Sequence, residues 1–569
     1  MDKQSNVKGF TILSAASIIN KLLGILYVPA LTLILGNVGN GIYNAGYTVY
    51  TMVFVITTSG VPVAISKLIS EQIASSRYDL SYKTLRISSA LLISFGAFTS
   101  IVTAVFAKQF SGWLGYSESY MTILALSPTM LFAAVSCTFR GYFQGRSNMV
   151  PTSISQVIEQ AVNSVFTILF AWIMYRYGSN YAAAHGITEE IHVNIHGYHL
   201  NAAGGTVGTS LGALASAIYL VKTYAKNKAD ILKELAESAA GIGNKVEKLK
   251  YSSKAILKRI FQYSIPITLG SAAIYSANLI DLKFTKSRLI AGGFSNVEAT
   301  ALYGIFSTQY LKVLFIPVTL ATALAVTIVP SVSAAAAVND RTQLGRRISE
   351  SIKMILMISI PSAAGMTVLA KPIVRILFPS SPDGWDLLMI GSWTVILISL
   401  VSVQTAVLQG IGKTYIPTVH MVIGLAMKVF INYNLVAVRA INIKGAVAGS
   451  AVCYLFAFYM NYRSIKKLTG VRLNVKKLFN RPFSISVIMA VLVLLVYKGF
   501  ELITEGFIGS VTLRSLISGG AAMATGVAVY YLLMIAVRGI TAREIKSLPG
   551  GSRILAFTLK IPYMDRFLR

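Results

Sequence analysis

Runs of about twenty apolar residues, recurring from one end of the chain to the other, constrain this sequence more than any motif in it. A helix crossing the hydrocarbon core of a bilayer needs roughly 20 mostly apolar residues. Only helices and closed barrels satisfy their backbone polar groups there. The 569-residue chain is 54% hydrophobic and 13% charged. That is about half the charge of a soluble domain, too little polar surface to keep so long a chain in water. The expected fold is an all-α integral membrane protein of about fourteen transmembrane helices. They are placed near 10–36, 42–68, 85–107, 119–139, 152–175, 202–221, 260–282, 301–330, 352–370, 387–409, 416–438, 445–462, 484–503 and 515–537.

A formal net charge of +30 raises the question of nucleic-acid binding. Topology answers it. With the N-terminus inside, the inner segments hold 37 of the 51 Lys and Arg residues and the outer loops 11. Cytoplasmic loops carry such an excess of cations, so both termini are expected inside and no nucleic-acid partner is implied. The longest inner segment, 222–259, holds ten Lys and Arg. It reads either as an amphipathic segment on the anionic headgroups of the phospholipid bilayer or as a solvated linker. The N-terminus lacks the pattern of a cleavable signal peptide, and its first apolar run is expected to be the first span.

The linker divides six spans from eight, and a repeat supports that division. Gln144-Gly145 followed by Pro151-Thr152 recurs as Gln409-Gly410 followed by Pro417-Thr418; Val61-Pro62 with Ser66 recurs as Val329-Pro330 with Ser333. The offsets are 265 to 268 residues. The expected organisation is two parallel six-helix lobes around a central cavity, residues 1–221 and 260–463. Residues 464–569 add two further spans and a cytoplasmic tail. Parallel repeats place a substrate between the halves near the midplane.

Lysines in mid-span carry the chemistry. Each costs about 2.5–3.5 kcal/mol on insertion scales and so faces a cavity or a partner. Lys21, Lys312 and Lys428 are placed this way in spans one, eight and eleven. Snorkelling or pairing with a buried acid is the alternative, with Asp281 available to Lys428. The interior acids are fewer, Glu159 and Asp281, which leaves the interior net positive and suited to a phosphate or pyrophosphate. Gly60-Val61-Pro62, Pro266, Pro317, Pro330 and Pro361 interrupt spans as hinges or packing kinks. Gly204, Gly208 and Gly212 form overlapping GxxxG steps that predict close helix packing.

Other patterns carry less. Gly410-Ile411-Gly412-Lys413-Thr414 is not a phosphate-binding loop, because Val407 stands where a glycine is needed and a transmembrane helix precedes it. His185, His192, His196 and His199 share one outer loop. His192 and His196 have a metal-like spacing without a cysteine or a well-placed acid, so a polar loop is the default reading. Two cysteines, Cys137 and Cys453, make no disulfide framework or zinc pattern. No catalytic triad or acid pair is present in the spans, so an enzyme is not expected.

These residues resemble a family. The fourteen-span, two-half layout is similar to the multidrug/oligosaccharidyl-lipid/polysaccharide exporter superfamily. Within it the chain resembles the Gram-positive branch of the lipid II flippase MurJ family, with the stage V sporulation protein B group next. The stretches that carry this are Asn20-Lys21-Leu22-Leu23-Gly24, Gly60 to Lys67, Phe139 to Gly145, Pro151 to Gln160, Ile280-Asp281, Gln309-Tyr310-Leu311-Lys312 with Ile316-Pro317-Val318, and Val407 to Gly410.

The resemblance implies export of an undecaprenyl-pyrophosphate-linked peptidoglycan precursor, lipid II, across the bacterial cytoplasmic membrane by alternating access. Cations at the positions of Lys21 and Lys312 would engage the pyrophosphate, with Asn20, Gln309, Arg140, Glu159 and Lys428 completing the candidate substrate site. Here both leading cations are lysine, which keeps charge but not bidentate geometry. Tyr27 stands where some members place a further cavity arginine. Some relatives hold sodium with an acid of span seven and polar groups of span eleven, which makes Asp281 and Asn432 candidate cation ligands. No cofactor is implied; Na+, H+ or the membrane potential would supply the coupling. The partners expected are the lipid-linked glycan, the bilayer and the cell-wall synthesis machinery. A flippase for another lipid-linked polysaccharide or a spore-cortex precursor is the nearest alternative, and a cation-coupled drug exporter a more distant one.

Overall fold

The computed structural model describes residues 6–184, 190–229, 234, 252–337, 340–471, 475–542, 555, 556 and 558. Every regular element among the described residues is helical. In chain order these are α1 (Asn6–Thr58), α2 (Val61–Ala74), α3 (Tyr78–Val105), α4 (Ala107–Leu114), α5 (Tyr120–Leu126), α6 (Thr129–Gly145), α7 (Val150–Ala184), α8 (Glu190–Lys226), α9 (Ser253–Ala291) and α10 (Asn296–Gly304). A π-helical segment, Ile305–Leu311, leads into α11 (Lys312–Ala337). Then come α12 (Arg341–Val368), α13 (Ala370–Leu377), α14 (Trp385–Gly391), α15 (Thr394–Gly410), α16 (Tyr415–Leu435), α17 (Lys444–Thr469), α18 (Val475–Glu505) and α19 (Val511–Ala536).

Eleven helices among the described residues are long and apolar enough to cross a membrane, or twelve if α14 and α15, bent by 50°, form one span. That is fewer than the fourteen expected, for two reasons. Leu26–Ala74 counts once, although its 49 residues, at about 1.5 Å each, exceed two bilayer cores of about 30 Å. Helix α17, with Lys444, Arg463, Lys466 and Lys467 at its ends, is not among the eleven. The short loop expected between 36 and 42 is absent as well. The helix instead kinks at Gly36, whose φ of 61° only glycine adopts without strain. The real break comes later, at Ser59-Gly60, where Pro62 starts α2 in the first-turn position that tolerates proline.

The repeat landmarks prove to be helix contacts. A Cβ on Gly145 would meet Ile69 and the Ser66 carbonyl at 2.8 Å; one on Gly410 would meet Val332 at 2.8 Å and the Val329 carbonyl at 3.2 Å. Thus α2 meets α6, and α11 meets α15, through a glycine at the same repeat position. The hydroxyl of Ser333 donates to the Gly410 carbonyl at 2.8 Å, which adds a polar tie of the kind that holds helices together in lipid. The short helices repeat too, since α4 after α3 is matched by α13 after α12. The GxxxG steps of α8 pack against α7, with Gly204 facing Phe170, Gly208 facing Thr167 and Asn163, and Gly212 facing the Glu159 carbonyl.

The chain forms two compact units, Met1–Gly304 with Val436–Asn442, and Ile305–Leu435 with Ile443–Arg569. The first has a core around Ile65, Ile69, Leu85, Phe143 and Leu220. The second is built around Val332, Ile348, Ile355, Val403 and Val407. Helix α9, which opens the second sequence repeat, belongs to the first unit. Leu502, Ile503, Val527 and other large apolar residues of α18 and α19 are exposed, as a lipid-facing surface requires.

Candidate functional site

In the first unit, Asn20 is half-buried on α1; the side chain of Lys21 lies outside the described residues. Gly24, one turn on, lets Gln160 of α7 approach, with the amide nitrogen 3.6 Å from where a Cβ would stand. Arg140 of α6 is held on three sides. Its guanidinium donates to Ser155 at 3.0 Å and Glu159 at 2.6 Å on α7, and to Ser216 at 2.9 Å on α8. The Arg140–Glu159 pair therefore adds no net charge, and it ties three helices together. A pair of this kind offsets its own desolvation only with good geometry and further hydrogen bonds, which the two serines supply.

Toward the other end of the same unit, Asp281 of α9 is buried. Five residues along, Lys286 is 2% exposed, with its ammonium 3.3 Å from Glu118 and 4.4 Å from the centre of the Tyr116 ring. Asn296 donates to the same carboxylate at 3.2 Å, and Lys283 donates to the Trp113 carbonyl. Nothing in the sequence singled out Lys286 or Glu118. They are 168 residues apart and sit near span ends, where charge is ordinary.

In the second unit, Gln309 is fully buried inside the π-helical segment. Its amide nitrogen donates to the Ser381 carbonyl at 2.8 Å, and its amide oxygen accepts from the Gly384 N–H at 2.7 Å. Next to it, the Tyr310 hydroxyl lies 3.2 Å from Thr394 Oγ1 and 3.4 Å from the Gly391 carbonyl. These bonds hold the turn that presents Lys312, which is half-buried at the first position of α11. Wide turns of this kind are rare and recur at functional sites. Lys428 and Asn432 are buried one turn apart on α16. Both face Gly449 of α17, where a Cβ would overlap Asn432 Oδ1 and come within 3.4 Å of Lys428 Cγ. Further along the same pair, His420 Nδ1 lies 2.8 Å from Asn461 Oδ1.

Among the described residues, no three His, Cys, Asp or Glu side chains gather as metal ligands would. Asp281 falls in the first unit and Asn432 in the second. His185 lies outside the described residues, as do the side chains of His192 and His196; His199 is half-buried on α8. Cys137 and Cys453 are both buried, and neither is in a disulfide.

Comparison with known proteins follows the same lines. The family described as "Polysaccharide biosynthesis protein" matches residues 6–336, more than half of the chain. The lipid II flippase MurJ of Bacillus subtilis (strain 168) is 25% identical over 477 residues, covering 82% of this chain and 83% of its own. The stage V sporulation protein B of the same organism is 24% identical over 569 residues, covering 98% and 100%. Among solved structures, a lipid II flippase MurJ in an inward closed conformation superposes with a TM-score of 0.61 at 14% identity, covering 93% of this chain and 99% of that one. An inward-facing multidrug resistance MATE family transporter gives 0.60 at 15%, covering 81% and 99%. The fold is the one shared by these solved structures, a multi-pass bundle of membrane-spanning helices. The chain belongs to the polysaccharide biosynthesis protein family.

Proposed function

We propose that the chain is a flippase that exports an undecaprenyl-pyrophosphate-linked peptidoglycan precursor, lipid II, across the bacterial cytoplasmic membrane. The observation that carries the reading is Lys312, a cation in mid-span on a turn fastened by Gln309 and Tyr310. A cation kept at that depth answers to an anion, and a pyrophosphate between prenyl chain and sugar is the anion a lipid-linked precursor offers. The headgroup would enter a wet, cationic cavity from the inside while the prenyl tail stays in lipid. Rocking of two repeated halves then exposes it outside. An inside-negative potential favours outward movement of an anion by about 2.3 kcal/mol per charge per 100 mV, so no nucleotide is needed. Na+ or H+ adds to this drive under the same scheme, and Lys428 of the same unit supplies a second buried cation. Both termini lie inside, where the cell-wall synthesis machinery that makes the precursor operates.

The similarity to stage V sporulation protein B over the full length of both chains favours a second reading, export of a spore-cortex precursor. Depletion separates the two. Lipid II accumulating in growing cells, with rescue by an unrelated lipid II flippase, supports the first. Accumulation confined to sporulating cells supports the second, and accumulation of no lipid-linked glycan removes both.

A further inference from the structure

A polar wall in the first unit is not explained by pyrophosphate binding. The early part of α1 and α7 run in the same direction, since Gly24 stands opposite Gln160 and Leu31 and Leu35 cluster with Ala171. One turn earlier on each helix, Asn20 and Gln156 therefore share a level. Asn20 Oδ1 and Gln156 Oε1 have no hydrogen-bond partner among the described residues. Glu159 borders them, with its carboxylate aimed by Arg140 at 2.6 Å. Tyr47 stacks on Tyr43 at 5.7 Å, and Tyr27 hydrogen-bonds to Tyr43. All six side chains, Asn20, Tyr27, Tyr47, Gln156, Glu159 and Gln160, are only half-buried. Gln160 is about 15 Å of helix from the start of α7, at 1.5 Å per residue. The two unmatched amide oxygens are themselves buried, and unsatisfied polar atoms at that depth call for a partner from outside the described residues.

The chemistry of this wall is that of a sugar site. Arg140 is spent on Glu159, so the pair offers no spare positive charge to a phosphate. Amides supply a donor and an acceptor in one plane, the carboxylate supplies acceptors, and tyrosine rings supply flat apolar faces with a polar tip. A glycan carries hydroxyl donors and acceptors around a ring with apolar faces. We infer that Asn20, Tyr27, Tyr47, Gln156, Glu159 and Gln160 form the subsite for the glycan of the lipid-linked substrate and set which headgroup is accepted. This rests on the flippase reading above and deepens it.

The test measures binding to the full-length protein in detergent by native mass spectrometry. One probe is undecaprenyl pyrophosphate bearing an N-acetylhexosamine disaccharide, the other bare undecaprenyl pyrophosphate. The wild type should prefer the glycosylated lipid. The Gln156→Leu/Gln160→Leu variant should lose roughly tenfold in affinity for it, as expected for one or two unmade hydrogen bonds, while binding of the bare lipid stays within about twofold. Gln160→Asn, which keeps the amide, should recover part of the loss. Equal losses on both lipids, or none on the glycosylated one, overturn the subsite and leave the flippase reading standing. Binding of neither lipid by the wild type overturns the flippase reading, and the subsite with it. If the double variant does not fold, each single Gln→Met variant gives the same comparison, with thermal unfolding as the check.

Discussion

Replacing Gln309 by leucine should loosen the turn that presents Lys312, and the size of the effect follows from its bonds. Gln309 is fully buried and spends both ends of its amide on the backbone of 381–384. In membrane proteins, side-chain hydrogen bonds contribute about 0.6 kcal/mol on average and up to about 1.7. Loss of two, with a buried Gly384 N–H left unmet, costs on the order of 1–3 kcal/mol. Gly384→Ala reaches the same joint from the other side, because its new Cβ would lie 2.8 Å from both Cβ and Oε1 of Gln309. The two lesions break one contact, so the double variant should exceed the worse single by no more than about 0.5 kcal/mol. Denaturant unfolding in detergent, followed by tryptophan fluorescence, reads this directly, and Trp385 sits beside the joint. Fully additive losses would refute the argument, as would a Gly384→Ala protein as stable as the wild type.

Other variants test other joints. Arg140→Leu/Glu159→Leu should express and melt nearer the wild type than either single leucine variant, because each single change strands a partly buried charge; thermal unfolding of the three decides it. Gly208→Leu should fail to assemble, its side chain meeting Thr167 and Asn163, whereas Gly112→Ala, with nothing within 4 Å, should be silent in the same expression assay. Glu118→Gln should lower the melting temperature by several degrees by stranding buried Lys286, and a Glu118→Lys/Lys286→Glu exchange should recover more than half of the drop.

Much of the fold was legible because apolar span length is a local signal. Two of the recurring landmarks, Gly145 and Gly410, stand where close helix packing leaves no room for a Cβ. The break in α1 was not legible. Gly36 looks like any glycine between apolar runs, and only its left-handed backbone marks the kink. Arg140 and Glu159 were both picked out, but their pairing with Ser155 and Ser216 depends on three helices meeting. The clamp of Gln309 spans 72 residues to Ser381 and ends on backbone atoms, which leave no trace in residue type. Lys286 was missed because a lysine at a span end is common, and its burial comes from a distant turn around Tyr116.

Transport itself is the most direct measurement of the central claim. Purified protein in sealed vesicles, under an imposed potential, should carry fluorescent lipid II from one leaflet to the other. Lys312→Gln, inserted to the same level, should lower that rate at least tenfold, about 1.4 kcal/mol at the limiting step. An unchanged rate in the inserted variant would remove the buried cation from the mechanism and contradict the account.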